Sequence, residues 1–169
     1  MRMCLAFFLL LVSSTAFGHA RWKLNGPTPP RSNDTGLKSP PCGDKPRGTT
    51  PKTFTAGSTI TLEWEETINH LGRFEIEFSE AGDANFQMLA QMNDDQNNAA
   101  VPHNYSMSVK LPDKVCTECT LRLVQVMLDN PAAPSNYYSC SDIELKAASP
   151  SPGPGPTPSP SPSPGNCNP

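Results

Sequence analysis

Apolar and polar residues alternate with a period of two in three separate stretches of the chain. Ile60, Leu62 and Trp64 alternate with polar partners in STITLEWEE. Phe74, Ile76 and Phe78 do so in GRFEIEFSE, and Tyr105, Met107, Val109 and Leu111 in YSMSVKLP. This pattern predicts half-buried strands, one face toward a core and the other toward water. Residues 120–128, TLRLVQVML, are apolar in both phases, which predicts a central strand covered on both faces. A last strand includes Tyr138, Ile143 and Leu145. Residues 84–92 carry the single weak helical signal, and residues 21–53, rich in Pro and Gly, read as a long wrapping loop. Five or six short strands between Gly-, Pro- and Asn-rich loops predict an all-β, antiparallel sandwich of immunoglobulin or fibronectin type.

The two ends depart from this pattern. Residues 1–18 read as a secretory signal peptide, with Arg2 ahead of the apolar run LAFFLLLV, too short to anchor in a bilayer. Ala16 and Gly18 permit a cut before His19; cuts after Ala16 and after Ala20 satisfy the same small-residue rule. Residues 149–169 hold nine of the 20 prolines and read as an extended, disordered Pro/Ser spacer, with no apolar stretch after it to signal a lipid anchor. Residues 19–148 remain for one domain with one core. The chain of 169 residues has 13 Lys+Arg against 16 Asp+Glu, a net charge of −3. No basic surplus is present to neutralise a run of phosphates, so nucleic acid is excluded as the expected partner.

Export favours disulfides over free thiols. Cys4 leaves with the signal segment and Cys167 lies in the tail, so Cys42, Cys116, Cys119 and Cys140 remain, with three possible pairings. A local Cys116–Cys119 bridge at a strand entrance would leave Cys42–Cys140 to tie the early loop to the last strand. The rival is a redox-active pair, which wants a helix N-terminus where TLRLV after Cys119 reads as strand. Asn33 and Asn104 begin glycosylation sequons.

The chain has three histidines, His19, His70 and His103, and no Ser-His-Asp, P-loop or HExxH pattern. A histidine that becomes residue one after processing offers its α-amine and a ring nitrogen to the same ion. A second imidazole completes a three-nitrogen set of the open, planar kind that suits Cu(II). The amine titrates near ~8, so the ion must displace its proton.

Several motifs point to a family. They are His19-Ala20-Arg21-Trp22, Pro29-Pro30-Arg31, Lys38, Pro41-Cys42-Gly43, and Thr67 to Phe74 as TINHLGRF. Further on come Cys116 to Leu121 as CTECTL, Gln125-Val126-Met127 and Tyr137 to Ile143 as YYSCSDI. In this order the sequence resembles secreted lytic polysaccharide monooxygenase-like proteins, of the chitin-binding type-4-like branch. It is similar also to a fungal, non-oxidative copper-binding branch of the same fold. The resemblance implies one copper ion, His19 as amine-plus-imidazole ligand and His70 as the third nitrogen, with His103 the rival for that place. It implies a carboxylate near the metal at Asp142, as in the fungal branch, or an axial tyrosine, for which Tyr137 and Tyr138 stand nearby. Gln125 would orient a metal-bound oxygen species or serve as a buried amide, while Trp22 and Arg31 would pack and anchor loops.

Three functions follow. The first is a secreted copper-dependent polysaccharide monooxygenase acting on a glycan such as chitin. The second is a copper carrier without catalysis, which an Asp142 ligand would favour. The third is a metal-free carbohydrate-binding or wall-matrix module. All three expect a monomer, without a membrane anchor, working outside the cell or in the wall against polysaccharide.

Overall fold

The computed structural model describes residues 19–95 and 101–149. The expected signal segment and the tail beyond Ser149 lie outside the described residues. Eight strands are present: β1 (Ala20–Trp22), β2 (Lys52–Thr55), β3 (Thr59–Glu66), β4 (Gly72–Ser79), β5 (Gln87–Asn93), β6 (His103–Lys110), β7 (Cys116–Met127) and β8 (Ser135–Lys146). They form a three-stranded sheet, β1-β3-β6, and a five-stranded sheet, β2-β8-β7-β4-β5. The two sheets make the expected sandwich. Every pairing is antiparallel except β2 with β8, which is parallel.

The alternating positions of β3, β4 and β6 meet between the sheets. Trp22, Leu62, Trp64, Phe74, Ile76, Leu121, Leu123, Ile143 and Leu145 are fully buried there. Each large apolar side chain so placed contributes about 1.5–3 kcal/mol relative to exposure. Trp22 and Trp64 meet edge-on, with ring centroids 6.3 Å apart.

Two sequence expectations change. Residues 87–93 form the edge strand β5 rather than a helix, paired along β4 with one irregularity at Ile76/Glu77. A helix of that length gains little from propensity alone, and pairing with β4 outweighs it. β1 and β2 went unread because three and four residues are too few to display alternation.

Between β1 and β2, residues 23–51 wrap over the outer face of the β7–β8 pair. Disulfide Cys42–Cys140 fastens this loop to β8, and Cys116–Cys119 closes the entrance of β7. The backbone N–H of Arg31 donates to the Cys140 carbonyl (2.8 Å), and that of Tyr138 to the Leu37 carbonyl (2.9 Å). No helix among the described residues is long and apolar enough to cross a membrane.

Candidate metal centre

His19 stands immediately before β1. Its carbonyl accepts hydrogen bonds from the Thr67 N–H (3.0 Å) and the Thr67 hydroxyl (3.1 Å), which tie it to the loop after β3. That same loop, residues 67–71, carries His70. The two imidazoles lie nearly parallel, 3° between planes, with centroids 5.3 Å apart. The Tyr137 ring of β8 also stacks on His19, with ring centroids 3.2 Å apart. Lys38 Nζ sits 4.8 Å from the centre of the Tyr137 ring.

Each imidazole is held in a form that can give a lone pair. His19 Nδ1 is buried and has no hydrogen-bond partner. Burial, then the neighbouring His70 and Lys38, lower the His19 pKa from 6.5 to about 4, so its ring is neutral at ordinary pH. His70 Nδ1 lies 2.9 Å from the Asp129 carboxylate. A proton on Nδ1 bonded to Asp129 makes Nε2 the nitrogen with the lone pair. Carboxylates oriented on a ligand histidine in this way fix both tautomer and ring direction.

The strand register explains how these residues meet. Gly72 pairs with Met127 across β4 and β7. Two residues outward from that pair, His70 falls opposite Asp129. The Leu71 N–H reaches the same carboxylate at 3.4 Å, and the Leu128 N–H donates to the Leu71 carbonyl at 2.6 Å. Gly72 is required at the base of this loop, because a Cβ there would collide with the Val126 carbonyl.

Directly below lies a buried polar group. Glu66, at the end of β3, is fully buried, as is Gln125 on β7. Gln125 Nε2 donates to Glu66 Oε1 (2.7 Å), and the His70 backbone N–H also donates to the Glu66 carboxylate. Gln125 therefore bonds a carboxylate rather than backbone. His103 Nδ1 is 3.1 Å from Glu66 Oε2. Ala20 and His103 pair with Glu66 from opposite sides of β3. His103 is thus one strand away from the His19–His70 pair and does not join it.

Asp142 and Tyr138 are not brought to this group either. Side chains alternate across a strand, and Tyr137, Ser139, Ser141 and Ile143 point between the sheets. Tyr138 and Asp142 have the opposite parity and face outward under the 23–51 loop. Asp142 Oδ1 accepts from Arg31 Nε (2.8 Å) and Arg47 Nη1 (3.2 Å), and Oδ2 accepts from the Gly48 N–H (2.6 Å). Arg31 also grips Asp83 with two bonds, at 2.6 and 2.8 Å, and reaches the Thr120 hydroxyl. Burial would lower the Arg31 pKa, but its bonds to Asp83 and Asp142 raise it overall. Burial likewise pushes Asp83 up, and Arg31 and Thr120 bring it below the usual carboxylate range. Tyr138 lies near Arg122, whose guanidinium is 5.4 Å from that ring and 3.7 Å from the Phe86 ring. Asn33 and Asn104 are both exposed.

Asp129, Glu66 and Asp94 were not singled out from sequence. The signal for Asp129 was present only as a register, since it needs the β4–β7 pairing to place it beside His70.

Residues 22–143 match the family described as lytic polysaccharide mono-oxygenase, cellulose-degrading. The chain belongs to this lytic polysaccharide monooxygenase family. Among solved structures it is similar to a lytic polysaccharide monooxygenase from Thermobia domestica in the Cu(I) state. That match has 19% identity and a TM-score of 0.54, covering 75% of this chain and 98% of that one. It is similar also to a cellulose-active polysaccharide monooxygenase from M. thermophila, at 16% identity and a TM-score of 0.52. Here 76% of this chain and 67% of that one are covered. At these identities the two structures share the fold. No curated protein sequence gives a significant match.

Proposed function

We propose that the protein is a secreted copper-dependent polysaccharide monooxygenase whose single copper ion is held by His19 and His70. The observation that carries this reading is the buried, partnerless Nδ1 of His19 beside a second imidazole oriented by Asp129. The donor set fits the ion. After a cut before His19, the freed amine and Nδ1 of that residue close a six-membered chelate, and His70 Nε2 adds a third nitrogen. Three nitrogens with open positions suit Cu(II). When bound, copper supplies the one-electron redox chemistry that activates an oxygen co-substrate for attack on a glycan C–H bond.

The chain's own residues do the rest. Thr67 fixes the His19 backbone and Asp129 fixes the His70 tautomer. Tyr137 covers one face of the His19 ring, closing that side to water. Leu71, 52% exposed next to His70, and Lys38 above Tyr137 present a surface to the polysaccharide. Gln125 acts from below through Glu66, holding the carboxylate that receives the His70 N–H. Two disulfides accord with an oxidising compartment, and the reading places the protein outside the cell or in the wall, monomeric and working on a β-linked polysaccharide such as chitin.

The carrier reading drew its support from a carboxylate ligand at Asp142, and that carboxylate is engaged by Arg31, Arg47 and a backbone N–H. The deciding experiment uses protein with a verified His19 terminus and one equivalent of Cu(II). Electron paramagnetic resonance should give one axial species with nitrogen couplings, and ascorbate should then release oxidised oligosaccharides from chitin or cellulose. His70→Ala, or one extra residue ahead of His19, should weaken copper by orders of magnitude and abolish product. Unchanged affinity in either variant would overturn the site. Tight copper with no oxidised product on any glycan would return the carrier.

A further inference from the structure

We propose that Glu66, Asp94 and His103 form a second, buried divalent-cation site, with zinc as its ion, beneath and separate from the His19–His70 pair. One donor atom from each of the three lies within 4.8 Å of the others, and all three residues are buried. Donors around tetrahedral zinc stand roughly 3.4 Å apart, given metal–ligand distances of ~2.0–2.2 Å. Closing the set needs side-chain movement of about an ångström, within the reach of small torsion changes.

The cluster has too much negative charge for its surroundings. A carboxylate oxygen of Glu66 lies within 4.8 Å of one of Asp94, and neither group is a donor when ionised. Two such groups taken out of water require a positive charge or a proton between them. Tyr105 has a single proton for both carboxylates: its hydroxyl bonds Asp94 Oδ1 at 2.6 Å and Glu66 Oε2 at 3.3 Å. No arginine or lysine contacts any of the three side chains among the described residues.

Independent of that charge, polar atoms at the cluster are left without partners. Asp94 Oδ2 is buried and makes no hydrogen bond; so is the amide oxygen of Gln125, whose nitrogen lies 2.7 Å from Glu66 Oε1. The Gln125 side chain is almost wholly enclosed, at 1% exposure. Buried oxygens are seldom left in this state, and an ion gives them a partner.

The chemistry of the donors selects the ion. Calcium and magnesium want six or more oxygens and little nitrogen. One imidazole with two carboxylates in a closed pocket suits zinc, which neutralises both charges with a single ion. Such an enclosed ion enters as the chain folds, so its binding energy adds to folding stability. None of its three ligands is a copper ligand, although Glu66 also accepts the His70 backbone N–H.

The experiment uses the full chain carrying His70→Ala, so that the upper pair is disabled. The disulfide-intact protein is unfolded in guanidinium, stripped with chelator, and refolded with or without one equivalent of Zn²⁺. Zinc per chain is measured after gel filtration, together with Tm. One zinc per chain and a raised Tm are expected, while Asp94→Asn in the same background should retain less than a tenth of the zinc. His103→Gln gives a second test if Asp94→Asn does not refold. Zinc-free His70→Ala protein overturns the proposal and leaves a shared proton between the carboxylates. So does equal zinc in the ligand variants. Zinc retained here while wild-type protein shows no ordered copper signal would sink the copper reading alone.

Discussion

Two polar clusters touch the β7–β8 ladder, one at the Gln125–Tyr137 pair and the other at Thr120–Asp142, five residues and ~17 Å further along at the usual strand rise. At one, His19 and Asp94 hold buried atoms that make no hydrogen bond, and the Glu66 carboxylate crowds against Asp94. At the other, Arg31, Arg47, Asp83, Asp142 and Thr120 pair nearly every charge with an opposite one. Both contain acidic residues in partly or fully buried positions. The difference lies in completeness. Arg31, only 3% exposed at its side chain, meets two carboxylates and closes its own electrostatics. The His19 end does not close without something added. Saturated clusters hold a fold together, and unsaturated ones invite a ligand.

The contrast can be broken from the saturated side first. Replacing Cys42 and Cys140 together by alanine frees a loop spanning 98 residues and should cost about 4–5 kcal/mol in urea-unfolding stability by the loop-entropy relation. The same change at Cys116 and Cys119 should cost only about 2 kcal/mol. Arg31→Ala comes next. Stranding Asp142 and Asp83 should remove about 3–5 kcal/mol, yet leave copper affinity per folded molecule unchanged. Copper affinity that collapses with Arg31 would mean that the two clusters are not separable.

From the unsaturated side, Asp129→Asn should weaken copper about 10- to 100-fold by loosening the His70 tautomer, with little change in Tm. Isothermal titration measures the first and calorimetry the second. The last test concerns pH and reads a slope. In metal-free protein, Glu66 holds its proton up to about 8 when folded against 4.5 when unfolded. The folded state therefore binds more protons between those values. Glu66 contributes stability below pH 4.5 that is lost as pH rises toward 8, at no more than about 1.4 kcal/mol per pH unit. Glu66→Gln should flatten this slope in urea titrations. His19 acts with the opposite sign: lowered from 6.5 to about 4, it contributes stability above 6.5 that is lost as pH falls through 4.

Much of this contrast was legible in the sequence, and the exceptions have one cause. Alternation located β3, β4 and β6, and the doubly apolar TLRLVQVML located β7. His19 and His70, offered by the sequence as nitrogen donors, stand with ring centroids 5.3 Å apart. Side-chain parity on β8 was less legible. YYSCSD offers two tyrosines and an aspartate with no alternation to say which face each takes. Asp142 and either tyrosine were therefore open candidates, and of the three the structure stacks Tyr137 on the His19 ring. Tertiary register decided the matter, as it did for Asp129, which no local pattern announces. The approach of Glu66 to Asp94 joins residues 28 positions apart, one ending β3 and the other just past β5, strands that do not pair, beyond the reach of any periodicity.

The loop at residues 23–51 behaves as a buckled strap. Its buckle is Cys42 on Cys140, with Arg31 and Arg47 riveted to Asp142, and its free span carries Lys38 across to the ring of Tyr137. A strap fixed at one station and draped over another can be re-cut along its span while the fastening holds. Changes in length or charge near Lys38 would refashion the ground on which a polysaccharide rests, and the histidines beneath would keep their places.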